Sequence, residues 1–189
     1  MNPASETFTG TATTSVAVSS DSAYALVSDI TRMPELSPEC HRCQWQSAGD
    51  VGEGAFFVGQ NRAHDHQWTT LCQVTQAEPG HRFAFDAGIR DRKFTRWSYL
   101  FTPDGDGTRI TETFEILELP PHLATATPQQ RLSRVAELQD GLCQTLARLK
   151  HILEQERGMS ITAAPEKTSA DHSRRERIAV VRSKNPGDD

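Results

Sequence analysis

Glu112 is the residue whose type and setting say most about chemistry in this sequence. In the run Thr108–Leu117, Ile110, Glu112 and Phe114 alternate onto one side of a predicted strand. A carboxylate among apolar neighbours must be paired, hydrogen-bonded or protonated, because an isolated buried charge is too costly. Asn61, Trp97 and Tyr99 lie on the matching faces of other predicted strands and are its candidate donors. Such a carboxyl can anchor a carbonyl or hydroxyl of a bound molecule, or exchange a proton with it. Glu112 and Tyr99 are therefore the candidate catalytic residues. The same residues also suit a purely structural hydrogen-bond network near the end of a sheet.

Other clusters carry less. Cys40-His41-Arg42-Cys43 has C-x-x-C spacing, but no second such pair supplies the remaining ligands of a structural zinc site. A redox pair belongs where a strand opens into a helix, whereas Gln44, Trp45 and Gln46 continue as strand. Haem attachment needs His directly after the second Cys, and Gln44 stands there. These thiols are read as small apolar fillers. His64-Asp65-His66 falls in a turn, and three adjacent turn residues rarely converge on one ion, so no metal is expected. Glu39, after Pro38, is read as a cap or rim residue beside the loop that closes one end of the fold. No G-x-S-x-G elbow, P-loop or H-E-x-x-H motif occurs, and no cofactor is expected.

Composition narrows the partners. The 189 residues carry 20 basic and 25 acidic side chains, a net charge of −5, which is a poor basis for gripping phosphate backbones. Nucleic acid is not an expected partner. No apolar run approaches the roughly 18–20 residues of a spanning helix, so no membrane insertion is expected. The opening MNPASETFTG lacks a basic and an apolar signal region, which predicts a cytoplasmic protein with reduced thiols.

The elements that must position these residues follow from periodicity. Thr11–Ser19 reads as a strand, and Asp21 caps a short helix through Tyr24–Val27. Pro34 and Pro38 bound a second short helix around Glu35–Leu36. Six strand-like runs follow: Cys40–Ser47, Gly54–Arg62, His66–Gln76, His81–Asp86, Lys93–Thr102 and Thr108–Leu117. Their connectors are hairpin-like, so the strands are antiparallel. Thr127 then caps a long helix with Pro128 at its first position, and Gly158 is the expected stop. Leu132, Val135, Leu138, Leu142, Leu146, Leu149 and Leu153 form its apolar stripe. Gly141 within it predicts a close approach of some neighbour.

The fold class is thus α+β, with a seven-stranded antiparallel sheet curved around one long C-terminal helix and two short helices after the first strand. Residues 1–10 are expected to be a flexible N-terminus and 11–157 the domain. Residues 158–189, with six basic and five acidic residues, are expected to be a disordered tail. The sheet's inner face collects Trp45, Phe57, Asn61, Trp68, Phe83, Phe85, Trp97, Tyr99 and Glu112, the candidate ligand-binding set. A sheet of this size wrapped on one helix encloses space for a concave, mostly apolar site. A core filled by its own side chains is the alternative.

The element order, with Ser37-Pro38-Glu39 closing the short helices, resembles the helix-grip fold. Gly54-x-x-Phe57-x-Gly59-x-Asn61, Trp68 with Cys72-x-Val74, Glu78-Pro79-Gly80-x-x-Phe83-x-Phe85, Trp97-x-Tyr99 and Gly107-Thr108-Arg109-Ile110-Thr111-Glu112 carry a narrower likeness. They resemble the SRPBCC proteins described as polyketide cyclase/dehydrase-like or START-like, relatives of the birch-pollen-allergen-like fold. The resemblance implies an internal cavity for a small hydrophobic ligand such as a lipid or polyketide-like metabolite. It leaves open a polyketide cyclase or dehydratase type of enzyme, and a monomer or homodimer.

Overall fold

Turn-forming residues cut the middle of the chain into strands short enough to pair with their sequence neighbours. The computed structural model describes residues 8–46 and 51–163. Its strands are β1 (Thr9–Val16), β2 (Cys40–Trp45), β3 (Phe56–Ala63), β4 (His66–Glu78), β5 (Arg82–Ile89), β6 (Arg92–Asp104) and β7 (Gly107–Ile116). They form one seven-stranded sheet in the order β1-β7-β6-β5-β4-β3-β2, antiparallel at every pairing. Consecutive strands from β2 to β7 are joined by hairpins, and β1 closes onto β7, as expected for a helix-grip α+β fold. Gly80 and Gly105 take positive φ (68° and 60°) in two of the turns, and Arg90 takes φ 54° in the β5–β6 turn.

Among the described residues there are four helices, α1 (Ser20–Ser28), α2 (Met33–Leu36), α3 (Pro121–Ala124) and α4 (Pro128–Ala163), with a 3₁₀ turn at Ile30–Arg32. Ser19, not Asp21, caps α1: its hydroxyl accepts the Ser22 N–H at 3.2 Å, and Asp21 sits in the first turn. Thr127 caps α4 as expected. Its hydroxyl accepts from Gln130 N at 3.3 Å while Gln130 Oε1 accepts from Thr127 N at 2.9 Å, a reciprocal capping box.

The α4 stripe buries Leu138, Leu142, Leu146, Leu149 and Leu153 against the sheet, but Val135 is only partly buried and Leu132 is 54% exposed. The helix does not stop at Gly158; it runs to Ala163. A glycine costs a helix only about 1 kcal/mol relative to alanine, too little to end it by itself. β1 likewise begins at Thr9, inside the stretch expected to be flexible. Residues 1–7 and 164–189, which hold most of the two expected terminal segments, lie outside the described residues, as do 47–50 of the β2–β3 connector.

Both free edges of the sheet matter. On β1, the Gln139 side chain of α4 accepts from Thr11 N at 3.1 Å and donates to Thr11 O at 2.8 Å. One side-chain amide thus completes an edge residue as a neighbouring strand would. On β2, a register shift between Cys40 and Arg42 turns both Cys40 and Cys43 inward, although they are three apart in sequence. Gly141 faces Pro38, and an added Cβ would meet Pro38 Cγ at 3.7 Å, an ordinary contact. The close approach expected there is absent.

Candidate functional site

Alternation places every expected residue of the site on the inner face, and the pairing registers then sort them by depth. The start of β2, the β3–β4 turn, the β5–β6 turn and the end of β7 gather at one end of the sheet, here called the mouth. Nearest the mouth, Asn61 stands opposite Trp68. Further in, Phe57 is opposite Cys72, and Phe85, Trp97 and Phe114 form one cross-strand row. Deeper still, Phe83, Tyr99, Glu112 and Ala12 form the next row. Asn61, Trp68 and Trp97 are partly buried, whereas Phe57 and Phe114 of the middle level are as buried as Tyr99 and Glu112, which are each 2% exposed.

Edge-to-face and tilted ring contacts bind the aromatics into a wall. Trp45 meets Phe57 (centroids 5.6 Å apart), Phe57 meets Phe85 (5.1 Å), Phe85 meets Phe83 (6.1 Å), and Trp97 meets Phe114 (5.9 Å). Tyr24 of α1 caps the deep end, against Phe83 and Phe101.

At the polar floor, Tyr99 donates its hydroxyl hydrogen to Glu112 Oε1 at 2.7 Å. Among the described residues Glu112 Oε2 has no hydrogen-bond partner, and no Lys, Arg or His forms an ion pair with Glu112. Burial therefore pushes the Glu112 carboxyl up to about 8, with the Tyr99 hydrogen bond pulling weakly the other way. Burial, then the neighbouring Glu112, holds the Tyr99 hydroxyl well above its ordinary range. Asn61 does not join them. Its side-chain nitrogen lies 3.3 Å from Thr70 Oγ1 and 3.4 Å from Gly59 O. Of the candidate donors, Asn61 thus belongs to a separate group from the Tyr99–Glu112 pair, because β3 and β7 are separated by three strands. Trp97 likewise packs at a tilt against Phe114.

Some neighbours had another reading in the sequence, and Arg134 and His122 had none as site residues. Cys40, Cys43 and Cys72 are buried free thiols on the β2 and β4 side of the inner face. Burial pushes Cys72 up to about 12. A hydrogen bond between Cys40 and Cys43 is the leading cause that lowers the first thiol and raises the second. At the mouth, Arg134 of α4 holds Glu39 through two bonds of 2.5 and 2.9 Å and lies over the Trp68 ring, 5.9 Å from its centroid. His66 stacks on Trp68 at 5.5 Å, with His122 of α3 beside it at 6.5 Å. His64 turns away and is 82% exposed, 3.8 Å from Glu137, so the histidine-rich turn diverges. The signal for Arg134 was the acid at Glu39, but the two are 95 residues apart and only the fold pairs them.

Comparison with known proteins agrees with this architecture. The family model described as "Polyketide cyclase / dehydrase and lipid transport" matches residues 7–154. The Polyketide_cyc-like protein Cgl2372 from Corynebacterium glutamicum is 28% identical, with a TM-score of 0.57 over 82% of this chain and 97% of its own. StfQ, a di-domain ARO/CYC of the steffimycin biosynthetic pathway, is 20% identical with a TM-score of 0.64 over 80% of this chain and 52% of its own. The chain thus spans about half of StfQ. Ara h 8.0201 shares the fold at 11% identity, with a TM-score of 0.57 over 79% of this chain and 99% of its own. None of the curated proteins matches the chain. With the matched model spanning nearly all of the described residues, the chain belongs to the polyketide cyclase/dehydrase and lipid transport family.

Proposed function

We propose that this protein binds a small hydrophobic molecule between its curved sheet and α4, inserted from the mouth past Trp68 and Trp97. The observation that carries the reading is the depth order of the inner face: partly buried aromatics lead to a buried polar pair, Tyr99–Glu112. Apolar burial at roughly 25 cal/mol per Å² drives association, and the floor pair supplies orientation. Family membership supports the same ligand class. Native mass spectrometry of protein purified from its own source tests it. A retained lipophile of defined mass is the expected result, and its loss in Trp97→Ala places it at this face. Retention unaffected by inner-face substitutions overturns the reading.

A second reading is a cyclase- or dehydratase-type enzyme in which Glu112 passes a proton to the bound molecule. One observation favours it: a carboxyl pushed up to about 8 is still protonated at neutral pH and is a competent general acid there. Glu112→Gln separates the two, since an enzyme loses turnover with binding largely kept, whereas a carrier has no turnover to lose.

A further inference from the structure

We infer that Glu112 is held as an uncharged acid whose free hydrogen is the recognition element for the ligand, so that the ligand class is an uncharged lipophile with a hydrogen-bond-accepting oxygen at its leading end. This deepens the binding reading above and rests on it. The argument is one of proton accounting. Tyr99 has a single hydroxyl hydrogen, and it is given to Oε1. Oε2 is buried without a protein partner among the described residues. An ionised carboxylate there would leave a negative oxygen without a donor or a cation, which burial makes prohibitive. A neutral carboxyl instead carries its hydrogen on Oε2, and that hydrogen has no acceptor among the described residues. An acceptor oxygen from a ligand completes the group, and Oε1 stays with Tyr99.

The surroundings set what can be accepted. Glu112 lies between Tyr99 on β6 and Ala12 on β1, and the next row toward the mouth is Trp97 and Phe114. Ala12 offers no side-chain acceptor, and Phe114 and the Trp97 indole offer none either. Trp97 is only partly buried, so it is the side chain of that row that a molecule approaching from the mouth meets first. A cationic leading group would require Glu112 to ionise, and an anionic one would face a low-dielectric wall where, among the described residues, no basic side chain pairs with Glu112. The site therefore selects on charge and on hydrogen bonding: an uncharged acceptor over a charged amine or carboxylate, and over a bare hydrocarbon that leaves the Oε2 hydrogen unmet.

Three naphthalene probes of equal size test this, a methyl ketone, the matching ethyl hydrocarbon and the matching primary amine. Their binding is measured by fluorescence on the full chain, alongside infrared difference spectra of the carboxyl carbonyl band. The expected result is a protonated-carboxyl band at neutral pH that is absent in Glu112→Gln. The ketone is also expected to bind about tenfold more tightly than either other probe, the scale of one good hydrogen bond. Above about pH 8 the ketone preference falls in the wild type but persists in Glu112→Gln, whose amide still donates. Glu112→Leu loses the preference. A missing band at neutral pH overturns the inference whatever binds. Equal binding of ketone and hydrocarbon, or preference for the amine, overturns it while leaving ligand binding intact. A present band with none of the probes bound overturns the binding reading, and the inference with it.

Discussion

Tyr99 and Glu112 face each other across β6 and β7 at the buried floor of the inner face, and the tyrosine's only hydroxyl hydrogen is committed to the carboxyl. The relationship makes the protein's stability depend on pH in a defined direction. Burial raises Glu112 from an ordinary 4.5 to about 8 in the folded protein. Between those values the unfolded chain releases its proton and the folded chain keeps it, so stability falls as pH rises, and it levels off above the folded value. The limiting slope from this one group is about 1.4 kcal/mol per pH unit. Glu112→Gln removes it. Urea unfolding across this pH range measures the effect, and an unchanged slope in the variant contradicts it.

Tyr99→Phe removes the one interaction that pulls Glu112 down, so the carboxyl titrates higher still. The variant also leaves Oε1 without its donor, at a cost of about 1–2 kcal/mol. Carbon-13 NMR of the Glu112 side-chain carboxyl follows the titration. A midpoint that moves down would show that the hydroxyl does not stabilise the charged form.

Gln139 clamps both main-chain groups of Thr11 at the edge of the sheet. Gln139→Ala should cost about 1–2 kcal/mol and speed hydrogen exchange at the Thr11 amide, with little effect on amides of β4 and β5. Unaltered exchange at Thr11 would show that solvent replaces the clamp at no cost.

Gly141→Ala should stabilise the protein by up to about 1 kcal/mol. The helix gains propensity, and the new Cβ meets Pro38 at an ordinary contact distance of 3.7 Å. A fall in melting temperature would mean that Pro38 and α4 are more tightly opposed than this spacing indicates.

Away from the bulges, local alternation is enough to say which way a strand residue faces. Period-two alternation put Phe57, Asn61, Trp68, Phe83, Trp97, Tyr99 and Glu112 on one side, and all of them lie there. Turn residues set the order and antiparallel sense of β2 to β7, and Thr127-Pro128 marked the start of α4. Each of these is a local property, decided within a few residues of chain. How deep each residue lies, and which partner it meets, was decided only by the tertiary structure. Depth depends on registers summed across strands, and shifts at Cys40/Arg42, Val74/Gln76 and Ala87/Gly88 alter them one after another. So Glu112 meets Tyr99 and not Asn61, Arg134 finds Glu39 at the mouth, and Gln139 closes an edge 128 residues away. Alternation fixes a face, whereas a contact needs a face and a register together, and register belongs to the assembled sheet.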